Sequence, residues 1–293
     1  MSRLSQVIQY ALIHSKEISR ANGRNSLFRL RIFFDMIYCF LKYRMWTNQY
    51  VKENFHQKSQ NERKRLGLQY REEGKKRDAW QKDFRENRLF FIKYGNIKYE
   101  KASLRKKRDK AYTKRYETGK NLFVEYDVNI SRQHYLEGTI KIGNNVLLAK
   151  HVFIDYSGEV IIHDNVAIAN GVIIETHTHS LVNKKSIPIQ SKLEIFDGAS
   201  ILTRAYIADT CHSIGRLAKI GAGSYVRSNI PPYAIVIGNP AKIVGFKMTP
   251  EEIIEYEKTH YDENDRLPLD LLQKNYKKYF LSRCKEIRQW CKI

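Results

Sequence analysis

Cysteine is scarce in this 293-residue sequence. The four present, Cys39, Cys211, Cys284 and Cys291, form no C-x-x-C pair and are too dispersed for a disulfide framework or a zinc ribbon, so reduced structural thiols are expected. Long uncharged apolar runs are also missing. The most apolar N-terminal stretch, Leu27 to Trp46, is interrupted by Arg29, Arg31, Asp35, Lys42 and Arg44, well short of the ~20 residues a membrane span needs. Met1 to Arg20 lacks a compact apolar run with a small-residue cleavage site, which argues against a signal peptide and predicts a cytoplasmic location.

Proline is absent from residues 1–120, and only five of the 15 glycines fall there, so this dense mixture of aromatic and charged residues reads as helix. The expected helices are roughly 3–20, 26–57, 59–90 and 100–116. Acidic charge is short in the same segment: residues 1–120 hold 31 basic and 12 acidic side chains, whereas residues 121–293 hold 21 and 19. Three parts follow: a basic helical region (1–120), a central domain (121–248) and a helical C-terminal extension (249–293). The extension is signalled by Thr249-Pro250-Glu251-Glu252, an N-cap with proline at the first helical position and acids in the first turn. A further helix is expected from Leu269 to Ile287.

From Phe123 onward the pattern changes to short β-branched pairs set between Gly, Asn and Asp, with a period of six. Ile142, Leu148 and Ile154 keep that spacing, as do Ile162, Ile168 and Ile174. After an interruption at 175–192 it resumes in Ile195, Ile201 and Ile207, then in Ile214, Ile220 and Val226. A β-sandwich would alternate by two and a helix by 3.6. A period of six is met by a parallel β-helix in which each hexad forms one flat side with its aliphatic inward. At three sides and about 18 residues per coil, residues 140–228 supply about four to five coils. The fold class is therefore mainly β with an α-helical extension.

The motifs Ile142-Gly143-Asn144-Asn145-Val146, Thr176-His177-Thr178-His179, Ile220-Gly221-Ala222-Gly223-Ser224 and Gly238-Asn239-Pro240-Ala241-Lys242 resemble the hexapeptide-repeat acyltransferases, particularly the maltose, galactoside and nodulation-type sugar O-acetyltransferases. The resemblance covers roughly 135–247. It implies a left-handed β-helix and a homotrimer, with acetyl-coenzyme A in the groove between neighbouring copies and a sugar or oligosaccharide acceptor entering there. Motif matching places the catalytic base on His179, with His177 and Asp155 near the acceptor, and Thr203, Ala222, Arg227 and Lys242 at positions that contact the cofactor. Histidine suits the task, because a hydroxyl attacks a thioester only as a base near neutrality takes its proton. The resemblance departs at Ser200-Ile201-Leu202 and at the extra residue within Ala208 to Ser213. Ala149 and Ser157 replace polar acceptor-binding residues of the galactoside enzymes, which implies a different acceptor: a hydroxyl on a surface polysaccharide, its repeat unit or a precursor.

The interruption at 175–192 carries both histidines and ends in Lys184, Lys185 and Lys192; a long loop in a tight solenoid is where function tends to sit. Asp155, on the coil preceding this loop, either orients His179 or binds acceptor hydroxyls, or else acts as a corner residue accepting backbone hydrogen bonds. The same β-helix also houses γ-class carbonic anhydrase-like proteins, for which His151, His177 and His179 are imaginable zinc ligands, but no third histidine has a suitable spacing, so no metal is expected. N-acetylation of an amino group on a nucleotide-linked sugar is the alternative transfer, and a membrane-docked scaffold the alternative class. The basic clusters of the first 120 residues lack any helix-turn-helix, zinc module or RNA-binding signature, which disfavours nucleic acid. The basic and aromatic Leu27–Trp46 stretch has the make-up of a helix for an anionic membrane surface, or of one buried against protein.

Overall fold

The structure is a computed structural model that describes residues 2–182 and 185–291. Lys184 and the Lys185 side chain lie outside the described residues. The chain folds as two compact units, Met1–Lys82 and Asp83–Ile293. Among the described residues no helix is long and apolar enough to cross a membrane.

The first unit is helical, comprising α1 (Arg3–Ala21), α2 (Ser26–Tyr43), α3 (Thr47–Lys52) and the beginning of α4 (Gln60–Tyr94). Ser2 and Asn25 cap α1 and α2 by accepting the N–H groups of Ser5 and Phe28. The single helix expected over 26–57 is broken because Arg44 adopts a left-handed conformation (φ 55°) and its N–H returns to the Phe40 carbonyl. Ser59 and Glu62 form a reciprocal cap at the start of α4. Ala11 and Ile18 of α1 pack with Ile32, Met36 and Cys39 of α2 and with Tyr50 and Phe55. Burial pushes the Cys39 thiol up to about 12. The opposite side of α2 exposes Leu27, Phe34 and Leu41.

The second unit is a left-handed parallel β-helix with three faces and about six coils. The first face stacks Glu117–Thr118, Thr139–Ile142, Glu159–Ile162, Lys192–Ile195 and Ser213–Ile214. The second runs from Phe123–Val124 to Ala234–Ile237, and the third from Asn129–Ser131 to Tyr225–Val226. All these neighbours pair in parallel, and Lys242–Phe246 then folds back antiparallel onto the last strand of the second face. Ile142, Ile162, Ile195 and Ile214 lie in register, as do Leu148, Ile168, Ile201 and Ile220, and these residues fill one continuous aliphatic column. Each buried aliphatic contributes about 1.5–3 kcal/mol of transfer free energy to that column.

One coil precedes those counted from the sequence, because Thr118 stands in register with Ile142 where an aliphatic would have announced it. The corners need left-handed backbone, supplied by Asn121, Asn145 and Asn165 (φ 58°, 55° and 58°), whose amides form a ladder: Asn121 Nδ2 donates to Asn145 Oδ1 (2.9 Å) and Asn145 Nδ2 to Asn165 Oδ1 (3.1 Å).

The unit containing the β-helix begins at Asp83, upstream of the composition change near residue 120, because residues 83–116 cover its open first coil. Asn87 Nδ2 donates to the Ile130 carbonyl (2.8 Å), and the Tyr112 hydroxyl to that of Val128 (2.6 Å). Polar groups of an uncovered end would otherwise pair with another chain. Tyr112 and Tyr116 extend the aliphatic column, and α5 (Ala102–Arg115) carries Arg108, fully buried and paired with Glu100 at 2.8 Å. At the other end lie α6 (Pro250–His260), α7 (Leu269–Tyr279) and α8 (Cys284–Cys291). Thr249 and Glu252 cap α6 reciprocally, and Ile253 and Leu272 pack on Tyr233. The helix expected from Leu269 to Ile287 is interrupted between Tyr279 and Cys284 by a short 3-10 turn, Leu281–Arg283.

Candidate active site

The two longest departures from the six-residue beat lie at the same corner, between the third and first faces. The first break is the 132–138 loop. The second, two coils higher and across the 156–158 corner, is an antiparallel hairpin pairing His177–Val182 with Lys185–Gln190. Gly158 sits at this corner against the neighbouring backbone: a Cβ there would lie 1.9 Å from the Ser191 carbonyl oxygen.

His177 and His179 are two apart on one strand and so project to one face. From the lower loop His134 meets them, with ring centroids 4.7 Å from each and 5.2 Å between His177 and His179. Asp155, fully buried at the end of a third-face strand, anchors the group. Its Oδ2 accepts from His177 Nδ1 at 2.6 Å and from the Thr176 N–H at 3.2 Å. Its Oδ1 accepts from the Ser157 N–H (2.9 Å) and hydroxyl (2.6 Å) and from the Gln133 N–H (3.4 Å). Five donors offset the cost of burying one carboxylate. The Ser157 oxygen, having donated its proton to Asp155, accepts from the Gln133 and His134 N–H groups at 2.9 and 3.3 Å. The backbone of the lower loop is thus tied to the carboxylate that orients His177.

Asp155 therefore partners His177, and among the described residues no hydrogen bond is recorded for the His179 ring, which is exposed beside the other two. Burial pulls the His134 imidazole below its ordinary value, and the neighbouring His177 and His179 lower it further. Sequence reasoning missed His134. The available signal was the pairing of two interruptions, 132–138 and 175–192, at equivalent places two coils apart. His151, considered as a metal ligand beside His177 and His179, is elsewhere. It occupies the corner between the second and third faces, bonded to Asp127 at 2.5 Å, and lines a groove of about 490 Å³ with Lys150, Thr203 and Arg204.

Of the four expected cofactor contacts, Thr203 and Ala222 stack on successive coils at this second-to-third corner, where the Gly223 N–H donates to the Thr203 carbonyl (2.9 Å). Arg227 and Lys242 line a different groove of about 540 Å³ with Asn229 and Ala241. Lys242 Nζ lies 3.4 Å from Glu286 of α8. Arg227 follows a third-face strand two coils above His177, about 10 Å along the axis at the usual strand spacing. One chain thus carries the histidines and the Thr203–Ala222 column on different corners. The extra residue of 208–213 is taken up by a turn in which the Cys211 N–H bonds to the Ala208 carbonyl (2.9 Å); burial pushes the Cys211 thiol up to about 12, which leaves it inert.

No protein-family model matches the chain. It is 32% identical over 124 residues to a serine acetyltransferase of Salmonella typhimurium, a match covering 42% of each sequence. It is 24% identical over 151 residues to a galactoside O-acetyltransferase of Escherichia coli, covering 52% of this chain and 61% of that protein. The chain thus spans about two-fifths to three-fifths of the length of these curated relatives. A solved galactoside acetyltransferase in complex with coenzyme A superposes with a TM-score of 0.44 at 19% identity, over 65% of this chain and 90% of that one.

Proposed function

The β-helix of this chain belongs to the hexapeptide-repeat acyltransferases, and from that premise we propose that the protein transfers an acetyl group from acetyl-coenzyme A to a hydroxyl of a sugar in a surface polysaccharide, its repeat unit or a precursor. The observation that carries the reading is the histidine cluster raised on the inserted hairpin, in a solenoid otherwise built of tight corners. Both named relatives are acetyltransferases, and serine and galactosides both offer a hydroxyl.

In this reading His179 takes the proton of the acceptor hydroxyl as its oxygen bonds to the thioester carbonyl carbon. The tetrahedral oxyanion then collapses, the C–S bond breaks, and the leaving thiolate receives the proton from the imidazolium. The Asp155–His177 bond favours a second assignment, with His177 as the base, because the carboxylate fixes its tautomer and orientation. Thr203 and Ala222 line the pantetheine arm, and Arg227 and Lys242 meet the nucleotide phosphates. The separation of these residues from the histidines within one chain supports a homotrimer whose sites are completed by a neighbouring copy. The exposed Leu27, Phe34 and Leu41 on a strongly basic segment support contact with an anionic membrane surface from the cytoplasmic side.

Thiol release from acetyl-coenzyme A, measured across hexoses, amino sugars and oligosaccharide repeats with the product resolved as ester or amide, tests this. Acceptor-dependent release yielding an ester is expected. An amide moves the reading to an amino sugar, and no release despite cofactor binding turns it to a scaffold.

A further inference from the structure

The ligand atoms of His134, His177 and His179 all lie within 4.8 Å of one another, and no carboxylate or thiol belongs to the set. We propose that these three imidazoles form a binding site for a divalent transition metal ion of the zinc type. Three features carry the assignment.

Zinc–nitrogen bonds of about 2.0–2.1 Å in a tetrahedron separate the ligand nitrogens by about 3.4 Å. The three rings therefore need to draw in by no more than about 1.4 Å, a side-chain rotation on a hairpin and a loop. His177 already gives its Nδ1 to Asp155, leaving Nε2 for an ion; a histidine held by a carboxylate through its other nitrogen is the usual outer support of a metal ligand. The same carboxylate reaches the His134 loop through Ser157, so one buried anion sets the position of ligands from both insertions. An all-imidazole set suits zinc, nickel or copper(II) rather than magnesium or calcium, which take oxygen. With three protein ligands and His179 exposed, the fourth position faces solvent.

The inference goes beyond acyl transfer and does not depend on it. An imidazole whose lone pair is on a metal is not available as a base, so occupancy by zinc and base catalysis by His179 exclude each other. The test is a titration of the tag-free, chelator-treated full chain with Co²⁺ alone, followed by its visible absorption. The expected result is a low-coordinate cobalt spectrum saturating at one ion per chain, weakened at least about tenfold in His134→Ala and unchanged in His151→Ala. Absence of that spectrum overturns the site, as does equal affinity in His134→Ala. Circular dichroism checks that the variant folds, and His134→Asn serves in its place otherwise. Because the readout is metal binding, it stands or falls separately from any acetyl-transfer assay.

Discussion

Two corners of the same β-helix each carry a histidine bonded through Nδ1 to an aspartate from elsewhere in the solenoid. The pairs are 24 residues apart for His151–Asp127 and 22 for His177–Asp155, with contacts of 2.5 and 2.6 Å. Their surroundings differ. His151 and Asp127 have side chains 52% and 45% exposed, whereas those of His177 and Asp155 are 13% and 0% exposed. The first pair is a surface contact, screened by solvent and worth little. The second sits between two insertions that contribute His134 and the hairpin, with Ser157 on the short corner between them, and its carboxylate orients a cluster rather than one ring. What distinguishes a candidate active corner from an ordinary one here is the chain inserted over it, since residue type and spacing are nearly the same.

The comparison sharpens most under removal of each carboxylate. Asp155→Ala leaves the His177 ring, the Thr176 N–H and the Ser157 N–H and hydroxyl without their acceptor and is expected to cost about 3–5 kcal/mol in urea denaturation. Asp127→Asn, which removes the charge and keeps a side chain tolerated at φ 59°, is expected to cost less than about 1 kcal/mol. Similar losses for the two would show that the insertions do not change the environment of the pair. An intermediate effect is expected at the first-to-second corner, where the asparagine ladder runs beside the Asn144–Asp164 bonds. Asn145→Ala loses two side-chain contacts and places a Cβ-bearing residue without a local hydrogen bond at φ 55°, for about 1–2 kcal/mol in the same assay. No change would mean that the ladder contributes nothing and the corner is held by its backbone and the Asn144–Asp164 bonds.

The β-helix was readable because its physical cause repeats: one inward aliphatic per flat side leaves a beat of six in the sequence, and the beat fails only where something is inserted. The first coil was masked by the hydroxyl of Thr118 where the column begins and by the 132–138 insertion, which separates Val124 and Ile130 from the series that starts at Ile142. The role of residues 83–116 was not readable from charge, since covering the open end depends on Asn87, Tyr112 and Tyr116 reaching particular carbonyls across the fold. For the same reason His179 and His177 could be singled out from one motif while His134 could not. It lies more than 40 residues away, and only the coil repeat brings the two insertions to one corner. The pairing of Asp155 with His177 rather than His179 is a matter of side-chain direction on a hairpin that the sequence reads only as a loop.

The most direct measurement compares thiol release from acetyl-coenzyme A, with an active acceptor, for His179→Ala and His151→Ala. A fall of about 10²–10⁴-fold in the first with the second unchanged is the predicted result. Equal activity of His179→Ala and the unmodified protein would contradict the account and remove His179 as the base.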